Sequence, residues 1–376
     1  MSLKSICTFI SVVVLFTLVV TKSSATHPQT TDKPVEQVRK NIQVLKGLPD
    51  SQLFLVMNLV GDSLGVSCDY CHVKGEKNPQ TGDDTWVWEK DDKKEKLAAR
   101  EMMRMVLDVN KNNFKREGEV TCYTCHRGST RPERMAPLPP RDFVKEALQS
   151  LQTQKRVLPT PQEIIAKYLS VVGAKQNAAS NPIVMRGIVE SRSISGILEV
   201  TCKQPNKCLI KQTTASHEVS ARGTNGAAAW IQTAKGVTPI TGENLKRSLA
   251  SIALYNPIKI PDSLSNATAT RMAKVDDRDA YVLRMESSPT ETMQFFFDVA
   301  SGLLVRRVTV TNTMLGPLNV QWDFSDYRDV NGLKLPFVIR TSNVAAYDTT
   351  IRRFTEIKID PAVDDRIFDT PQTTSP

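Results

Sequence analysis

The stretches Cys68-Asp69-Tyr70-Cys71-His72 and Cys122-Tyr123-Thr124-Cys125-His126 share one pattern: two cysteines three positions apart, with a histidine directly after the second. This is the attachment pattern of c-type haem, because two such thiols can add to the two vinyl groups of one porphyrin. The imidazole that follows can bind the iron from the proximal side. With 7 Cys and 4 His in the chain, chance would give about 0.001 such patterns.

We therefore predict two covalently bound haem c groups. The residues predicted to hold the porphyrins are Cys68, Cys71, Cys122 and Cys125, and those predicted to bind iron are His72 and His126. Two other chemistries use paired cysteines, namely a four-thiolate zinc site built from both pairs and a redox dithiol. Neither of them requires a histidine after each pair.

The composition is that of a globular chain. At 376 residues the length favours two domains, and the hydrophobic fraction of 40% suffices for ordinary cores. The formal net charge of +9 is a modest basic excess that favours acidic partners or a membrane surface. No basic and aromatic stripe points to a nucleic-acid partner.

The N-terminus has the pattern of a secretory signal peptide. Lys4 precedes an apolar run over residues 6–20, and small residues at 23–25 allow cleavage after Ala25. The apolar run is short for a membrane span. We predict a signal peptide at 1–25 and an exported, periplasmic protein. The alternative is an uncleaved segment that anchors the protein in the inner membrane.

Two further cysteines fit an oxidising compartment. Cys202 and Cys208 flank a five-residue turn between apolar stretches, which predicts a cross-hairpin disulfide. The alternative is two free thiols.

The pattern of apolar residues changes along the chain and predicts an α+β fold. Helical spacing marks residues 35–45, 51–64 and 92–114, with a capping box at 92–95, and a capped helix at 161–172. After residue 181, alternating runs separated by turn residues indicate antiparallel strands with a few helices. The predicted domains are an N-terminal α-helical dihaem cytochrome c domain at 26–150, a linker at 151–157 and an antiparallel β-sheet domain at 158–374.

Each haem motif follows a helix that carries methionine on its predicted apolar side. Met57 precedes Cys68 by 11 residues, and Met102 and Met105 precede Cys122 by 20 and 17. A thioether above the ring would complete a six-coordinate electron carrier. The other interpretation is that these side chains fill core gaps. Spacing cannot choose between Met102 and Met105, since they lie about 60° apart around one helix, whereas Met103 is predicted to project elsewhere. Met135 is a weaker candidate.

The region 48–134 resembles the tetrahaem cytochrome subunit of photosynthetic reaction centres. The resemblance rests on residues 120–128, on 99–105 with Asn110, and on 62–65. It implies that the methionine on each preceding helix is the distal ligand, so that Met57 and Met102 bind iron, with Met105 as runner-up. The chain departs from the family in having two motifs instead of four. It also has no histidine between His72 and His126.

A second resemblance covers the C-terminal half. Residues 327–336 and Phe368 are similar to periplasmic lipoprotein-carrier and outer-membrane lipoprotein-sorting proteins. This likeness implies a curved antiparallel sheet over helices, with an apolar concavity that could take a lipid or lipoprotein ligand. We find no set of catalytic residues in this half.

These observations favour a periplasmic dihaem cytochrome that transfers electrons and is not an enzyme. The resemblance implies a subunit that re-reduces a photosynthetic reaction centre, so the expected partners are redox proteins such as a membrane-bound reaction centre or respiratory complex. One alternative is a dihaem enzyme such as a peroxidase, which needs an open position on one iron. Another is a lipid-binding protein with an attached cytochrome, which needs an open concavity in the sheet.

Overall fold

In the computed structural model each cysteine motif forms a short helix that follows a longer one. The structure describes residues 32–77, 84–135, 142–144, 158–173, 182–191, 195–214, 219–234, 236–252, 255, 264, 267–288, 290–342 and 349–371. These residues belong to one compact unit that spans Asp32–Pro376. The predicted signal peptide at 1–25 and the predicted linker at 151–157 lie outside the described residues.

The helical part, which we define as residues 32–135, contains five α-helices, one π-helical turn and a small β-ribbon among its described residues. In chain order they are α1 Val35–Val38, α2 Asp50–Leu64, α3 Cys68–Cys71, β1 Val73–Lys77, β2 Asp84–Val87, α4 Lys94–Val109, the π turn Asn110–Phe114 and α5 Cys122–His126. Each haem motif thus forms a single helical turn that follows a longer helix.

The predicted helix at 35–45 is wrong in its length, because α1 ends at Val38. Asn41 adopts a left-handed backbone with φ of 57°, which a continuing helix cannot accommodate. The Arg39 Nε instead donates to Asp50 Oδ1 at 2.7 Å, and this ion pair turns the chain toward α2. The end of the helix predicted at 51–64 is confirmed, since α2 ends at Leu64 and Gly65 is left-handed with φ of 70°.

The capping box expected at 92–95 is also wrong. The N-cap of α4 is Lys93, whose side chain makes no capping bond, and the helix begins at Lys94. The box at α6 (Pro161–Val172) is confirmed: Thr160 Oγ1 accepts from the Glu163 N–H at 3.2 Å, and Glu163 accepts from the Thr160 N–H at 2.8 Å. Reciprocal bonds of this kind satisfy two otherwise unpaired backbone donors.

The C-terminal part is a large antiparallel sheet. Its thirteen described strands are β3 Ile183–Glu190, β4 Ser195–Lys203, β5 Lys207–Thr214, β6 Val219–Asn225, β7 Ala229–Thr233, β8 Gly236–Ile240, β9 Thr268–Val275, β10 Arg278–Ser288, β11 Glu291–Asp298, β12 Leu304–Thr313, β13 Gly316–Val330, β14 Leu333–Ser342 and β15 Thr349–Ile359. Helix α7 (Gly242–Ile252) lies between β8 and β9 in the chain, and a 3₁₀ turn covers Asp365–Phe368. The predicted antiparallel sheet with a few helices is therefore confirmed.

The strand order shows how the chain builds the sheet. It runs β8-β7-β6-β5-β4-β3-β15-β14-β13-β12-β11-β10-β9, so every pair of neighbouring strands is consecutive in the chain except the central pair, β3 and β15. The chain leaves the centre to one edge, crosses to the other edge, and returns. The first and last strands of this part, β3 and β15, therefore pair with each other in the middle of the sheet, with Ile359 opposite Ile183.

One face of the sheet forms a filled apolar core beneath α6. Tyr168 of α6 is fully buried, and its ring meets Phe297 edge-on with 5.4 Å between the centroids. A cavity of about 10 Å³, lined by residues such as Met185, Tyr255 and Ile339, lies in this core. That volume holds one water molecule at most. Within the described part of the chain, no helix is both long enough and apolar enough to cross a membrane.

Candidate haem-attachment site

The first motif begins directly after the left-handed Gly65. Cys68–Cys71 forms one helical turn, α3, and the His72 N–H donates to the Cys68 carbonyl at 2.9 Å. Cys68 is exposed and Cys71 is half-buried, and neither is in a disulfide. Burial raises the pKa of the Cys71 thiol. Two thiols one turn apart on a short helix point to the same side, which is the geometry that attachment to one porphyrin requires.

The His72 imidazole packs on one ring of an aromatic cluster. The ring meets Trp88 edge-on at 5.0 Å between centroids, and Trp88 stacks on Trp86 at 5.0 Å. Phe54 of α2 meets Trp88 at 6.3 Å. Burial, and next the Lys96 ammonium, lower the pKa of His72. The imidazole is therefore neutral at pH 7, as an iron ligand must be. Phe54 and Trp88 are 54% and 40% exposed, so this aromatic cluster also offers apolar surface.

The second motif is fixed at its start by backbone and side-chain bonds. Thr121 caps α5 with a reciprocal box to Thr124. The buried Asn110 amide donates to the Val120 carbonyl at 2.7 Å and accepts from the Val120 N–H at 2.8 Å. The π turn after α4 thereby holds the segment that leads into Cys122, a buried thiol whose pKa is raised by burial.

The orientation of His126 suits an iron ligand. Its Nδ1 lies 2.9 Å from the Ser129 carbonyl oxygen. Because a carbonyl oxygen only accepts, Nδ1 carries the proton and Nε2 keeps its lone pair. A metal-binding histidine is commonly held in this way by a hydrogen bond from its other nitrogen.

An ionic cluster, formed by the half-buried Asp91 with the buried Lys96 and Arg100, fixes α4 beside the first motif. Lys96 Nζ lies 3.0 Å from Asp91 Oδ1, and Arg100 Nη1 donates to Asp91 Oδ2 at 2.8 Å. Hydrogen bonds from Arg100, Asn41 and Lys96 hold the pKa of the Asp91 carboxyl well below its usual range. Lys93 Nζ donates to the Asp69 carbonyl within the first motif. The sequence pattern did not predict this cluster, since charged residues at helical spacing usually mark a solvated face.

The methionines of α4 lie differently from the predicted apolar stripe. The buried side of α4 carries Lys96, Arg100, Met103 and Val106. Met103 is 6% exposed, whereas Met102 and Met105 are 45% and 46% exposed. The predicted apolar side of this helix, which carries Met102 and Met105, is therefore not its buried side. The helix turns its ion-pairing residues inward and leaves these two thioethers on the outer side. Met57 is half-buried on α2 against the helical core.

Two glycines bring the motifs together. The Gly128 N–H, two residues after His126, donates to the Ser63 carbonyl at 2.8 Å. A Cβ on Gly65 would lie 2.2 Å from the Gly128 carbonyl oxygen. Only glycine permits this approach. The segment after the second motif therefore crosses the chain three residues before Cys68, and the two motifs are neighbours in space.

A hairpin of the sheet completes the helical core. Leu315 and Leu318, at the β12–β13 turn, are buried at 0% and 1% exposure in the cluster that contains Val56 and Cys122. A Cβ on Gly316 would lie 2.4 Å from Thr121 Cγ2, the cap of the second motif. Sequence analysis missed this contact. The available signal was the apolar turn Met314-Leu315-Gly316-Pro317-Leu318, because exposed hairpin turns are usually polar.

The remaining two cysteines are paired. Cys202 and Cys208 form a disulfide across the β4–β5 hairpin, with their Cα atoms 4.0 Å apart. Within the described residues, no group of three or more His, Cys, Asp or Glu side chains converges as a metal site.

The residues present fit haem c at both motifs. Each motif supplies two thiols on one helical turn and an imidazole, and each has exposed apolar side chains nearby. The His126 imidazole is held by the Ser129 carbonyl, whereas His72 packs on Trp88 and its buried Nδ1 makes no hydrogen bond. At the first motif these are Phe54, Tyr70 and Trp88, and in the second region they are Met102, Met105 and Tyr123. Such large exposed apolar side chains commonly mark a binding surface.

The site therefore defines a protein with paired cytochrome c motifs joined to an antiparallel sheet. Residues 14–175 match the family described as photosynthetic reaction centre cytochrome C subunit. The chain is 30% identical over 112 residues to the photosynthetic reaction center cytochrome c subunit of Roseobacter denitrificans, covering 28% of each protein. It is 34% identical over 107 residues to that of Thermochromatium tepidum, covering 27% of this chain and 24% of the relative. The resemblance predicted from the motifs is thus confirmed.

The match covers a limited share of these relatives, since the chain spans about a quarter of their length. A cytochrome c-554 of Chloroflexus aurantiacus is 35% identical over 95 residues, covering 24% of this chain and 20% of the relative. Among solved structures, a LolA superfamily protein from Nitrosomonas europaea is 14% identical with a TM-score of 0.38, covering 57% of this chain and 99% of that one. A lipoprotein-sorting protein domain from Vibrio parahaemolyticus is 11% identical with a TM-score of 0.37, covering 55% and 97%.

Proposed function

We propose that this protein is an exported dihaem c-type cytochrome that carries electrons between protein partners. The observation that supports this proposal most is the pair of complete motifs that adjoin at Gly65 and Gly128. Haem c, when bound, supplies a one-electron couple between ferric and ferrous iron. Two such groups on adjoining motifs form a path for single electrons.

The chain's own residues have distinct roles in this proposal. Cys68 and Cys71 hold one porphyrin, Cys122 and Cys125 hold the other, and His72 and His126 bind iron. The Ser129 carbonyl orients His126, and the rings of Trp86 and Trp88 exclude water from the His72 side.

In this proposal a methionine thioether from each longer helix would be the second protein ligand of each iron. Met57 serves the first motif and Met102 the second, with Met105 as the competing candidate. The half-exposed positions of Met102 and Met105 support a role outside the protein core, because long apolar side chains on that side of α4 have few neighbours of their own. With a histidine and a methionine to hold each iron, the haems would supply one-electron transfer and no binding position for a substrate, so the proposed role is electron transfer.

The partners are redox proteins at a membrane surface. The relatives' names identify subunits of photosynthetic reaction centres. We extend that role to this chain as the reduction of a membrane-bound complex, either a reaction centre or a respiratory complex. The periplasm is the proposed location, and the Cys202–Cys208 disulfide supports an oxidising compartment. Labelling of both cysteines by a thiol reagent, without reductant, in protein isolated from the periplasm would contradict the disulfide and remove the support that it gives to this location.

Binding of carbon monoxide to the reduced protein distinguishes an electron carrier from a dihaem enzyme. The haem-loaded protein is reduced, and its visible spectrum is recorded before and after addition of carbon monoxide. The carrier predicts no spectral change at either haem at neutral pH, since both irons are six-coordinate. A carbon monoxide complex formed at one haem without denaturation would overturn the proposal in favour of an enzyme with an open iron.

A further inference from the structure

The two iron-binding imidazoles have different surroundings. At the second motif, the His126 Nδ1–H donates to the Ser129 carbonyl at 2.9 Å, and the adjoining residues 127–131 are exposed. At the first motif, the Nδ1 of His72 is buried and makes no hydrogen bond. Only the second imidazole is therefore held by a hydrogen-bond acceptor of the kind that commonly orients a metal-binding histidine.

Lys96 binds the backbone of the residue that packs on His72. Its side chain is buried, and its Nζ donates to the Trp88 carbonyl at 2.8 Å and to the Lys90 carbonyl at 2.6 Å. The indole ring of the same Trp88 meets the His72 imidazole with 5.0 Å between the centroids. The ammonium and the imidazole are thus linked through one residue.

The ionic cluster of Asp91, Lys96 and Arg100 has an excess of one positive charge. Lys96 and Arg100 are each 8% exposed, and the Asp91 carboxylate is the acid that both contact. Burial lowers the pKa of His72, and Lys96 and Arg100 lower it further, so the excess charge acts on the imidazole. The Trp88 carbonyl acts on His72 in the opposite sense, but its oxygen already accepts from Lys96.

Two further charges act at the first motif. Lys93 adds a positive charge that also lowers the pKa of His72. Burial raises the pKa of Cys71, and Glu95 raises it further, whereas Lys93 and Lys96 oppose Glu95 there. The charged groups with the largest effect on the imidazole itself are all cations.

The second motif has no comparable group. Among the described side chains, the buried lysines and arginines are Lys96 and Arg100 at the first motif and Arg307 on β12 of the sheet. The basic residues that follow the second motif, such as Arg127 and Arg131, are exposed. Water and salt screen exposed charges much more than buried ones.

Both differences between the motifs affect a bound haem in the same direction. A nearby cation favours the ferrous form, because ferric iron carries one more positive charge, and the effect is strongest where water is excluded. A hydrogen bond from the imidazole to a carbonyl makes the imidazole a stronger ligand, which favours the ferric form. The proposed axial ligands are of the same types at both irons, so they do not offset these effects.

We propose that Lys96, held by Asp91 and by the Trp88 carbonyl, gives the first haem a higher reduction potential than the second. Lys96 is a positioning residue, since it acts through the electrostatic field at His72 and needs no contact with the haem. This role rests on the proposed dihaem function, and it places an electron shared by the two haems mainly on the first.

Redox titration of the haem-loaded full-length protein, followed by its visible spectrum, measures the two midpoint potentials. The variants Cys68→Ser/Cys71→Ser and Cys122→Ser/Cys125→Ser each retain one haem and assign the midpoints. We expect the first haem to have the higher midpoint. Lys96→Gln keeps a hydrogen-bond donor without the charge. It should lower the first midpoint by a factor of about ten in the reduction equilibrium, or about 59 mV for one electron, and leave the second unchanged.

Three further variants separate the charge of Lys96 from its packing. Asp91→Asn removes the counter-charge and should raise the first midpoint, which is the opposite of the effect of Lys96→Gln. Lys96→Arg keeps the charge and should leave the midpoint close to that of the wild type. Lys94→Gln removes the same charge from an exposed position of α4, so it should change neither midpoint.

A first-haem midpoint equal to or below that of the second would overturn the proposal. Equal shifts in Lys96→Gln and Lys94→Gln would overturn it too, as would shifts of the same sign in Lys96→Gln and Asp91→Asn. Two haems that bind no carbon monoxide but show the reverse order of midpoints would leave the proposed function intact. Uptake of carbon monoxide at one haem would overturn the proposed function, whereas the order of the midpoints would still test Lys96.

Discussion

The three methionines of α4 differ in burial, and this difference allows iron binding to be distinguished from packing. Met103 is buried in the helical core, whereas Met102 and Met105 are half-exposed. A buried methionine contributes to stability through its contacts, and an exposed one does not. The same substitution at the three positions therefore has effects that can be told apart.

We expect Met102→Ala to remove part of the near-infrared sulfur-to-iron band of the oxidised, haem-loaded protein. Its effect on the free energy of unfolding should be within about 0.5 kcal/mol for a half-exposed side chain, apart from the loss of the iron bond. Met103→Ala is the packing control and should cost about 2–5 kcal/mol with the band unchanged. If Met105→Ala weakens the band and Met102→Ala does not, the ligand is one helical turn away from the proposed position.

A second prediction at this scale concerns the pH dependence of stability. The pKa of Asp91 is lowered in the folded protein by its bonds to Arg100, Asn41 and Lys96. A lowered folded-state pKa contributes stability that is fully present above the unfolded pKa, about 4 for Asp, and is lost as pH falls toward the folded value. The free energy of unfolding should therefore fall between about pH 5 and pH 2, and Asp91→Asn should flatten that fall. An unchanged pH profile in Asp91→Asn, measured by denaturant titration, would remove Asp91 as a contributor.

At the scale of elements, the crossing of the α2 terminus with the segment after α5 determines how the motifs adjoin. A side chain at Gly65 would collide with the Gly128 carbonyl, since its Cβ would lie 2.2 Å from that oxygen. Gly47 provides a matched comparison. It has a similar left-handed backbone with φ of 83°, but its Cβ would have nothing within 4 Å.

We expect Gly47→Ala to cost about 1–2 kcal/mol, from backbone strain alone. Gly65→Ala should cost about 1–3 kcal/mol more, because the clash forces the two segments apart. Chemical denaturation measures both values. Equal losses in the two variants would show that the crossing does not constrain the motifs.

Part of the arrangement of helices, strands and motifs could be predicted from the sequence. The motifs were recognisable because haem attachment requires a short, invariant spacing, and most strands were recognisable from their alternation of apolar and polar residues. The helix at 35–45 was overestimated, because the Arg39–Asp50 pair and the left-handed Asn41 override local spacing. The buried side of α4 was misassigned because Lys96 and Arg100 are buried only through their shared pairing with Asp91. Ion pairing between distant segments leaves no periodic pattern in the sequence.

At the scale of the whole molecule, the sheet and the helical part share a core. Two long-range contacts build this arrangement: β3 pairs with β15 at the centre of the sheet, and the β12–β13 turn inserts beside Cys122. No local sequence pattern predicts either of them. The turn contributes Leu315 and Leu318, which are almost fully buried among helical residues. The two parts should therefore unfold together.

Leu315→Ala tests this shared core. We expect a loss of about 2–5 kcal/mol from the cavity, together with separation of the haem absorbance change from the far-ultraviolet change of the sheet on heating. Leu198→Ala, which opens a cavity in the sheet core alone, is the control and should lower stability while the two signals stay coincident. If the signals already separate in the wild type, the hairpin does not couple the two parts.

The intact mass of the full-length protein, produced with a haem-ligation system, tests the central claim most directly. We expect a mass increment of two haems over the polypeptide, with one lost in the Cys68→Ser/Cys71→Ser variant and the other in the Cys122→Ser/Cys125→Ser variant. An increment of one haem or none in the wild type would contradict it.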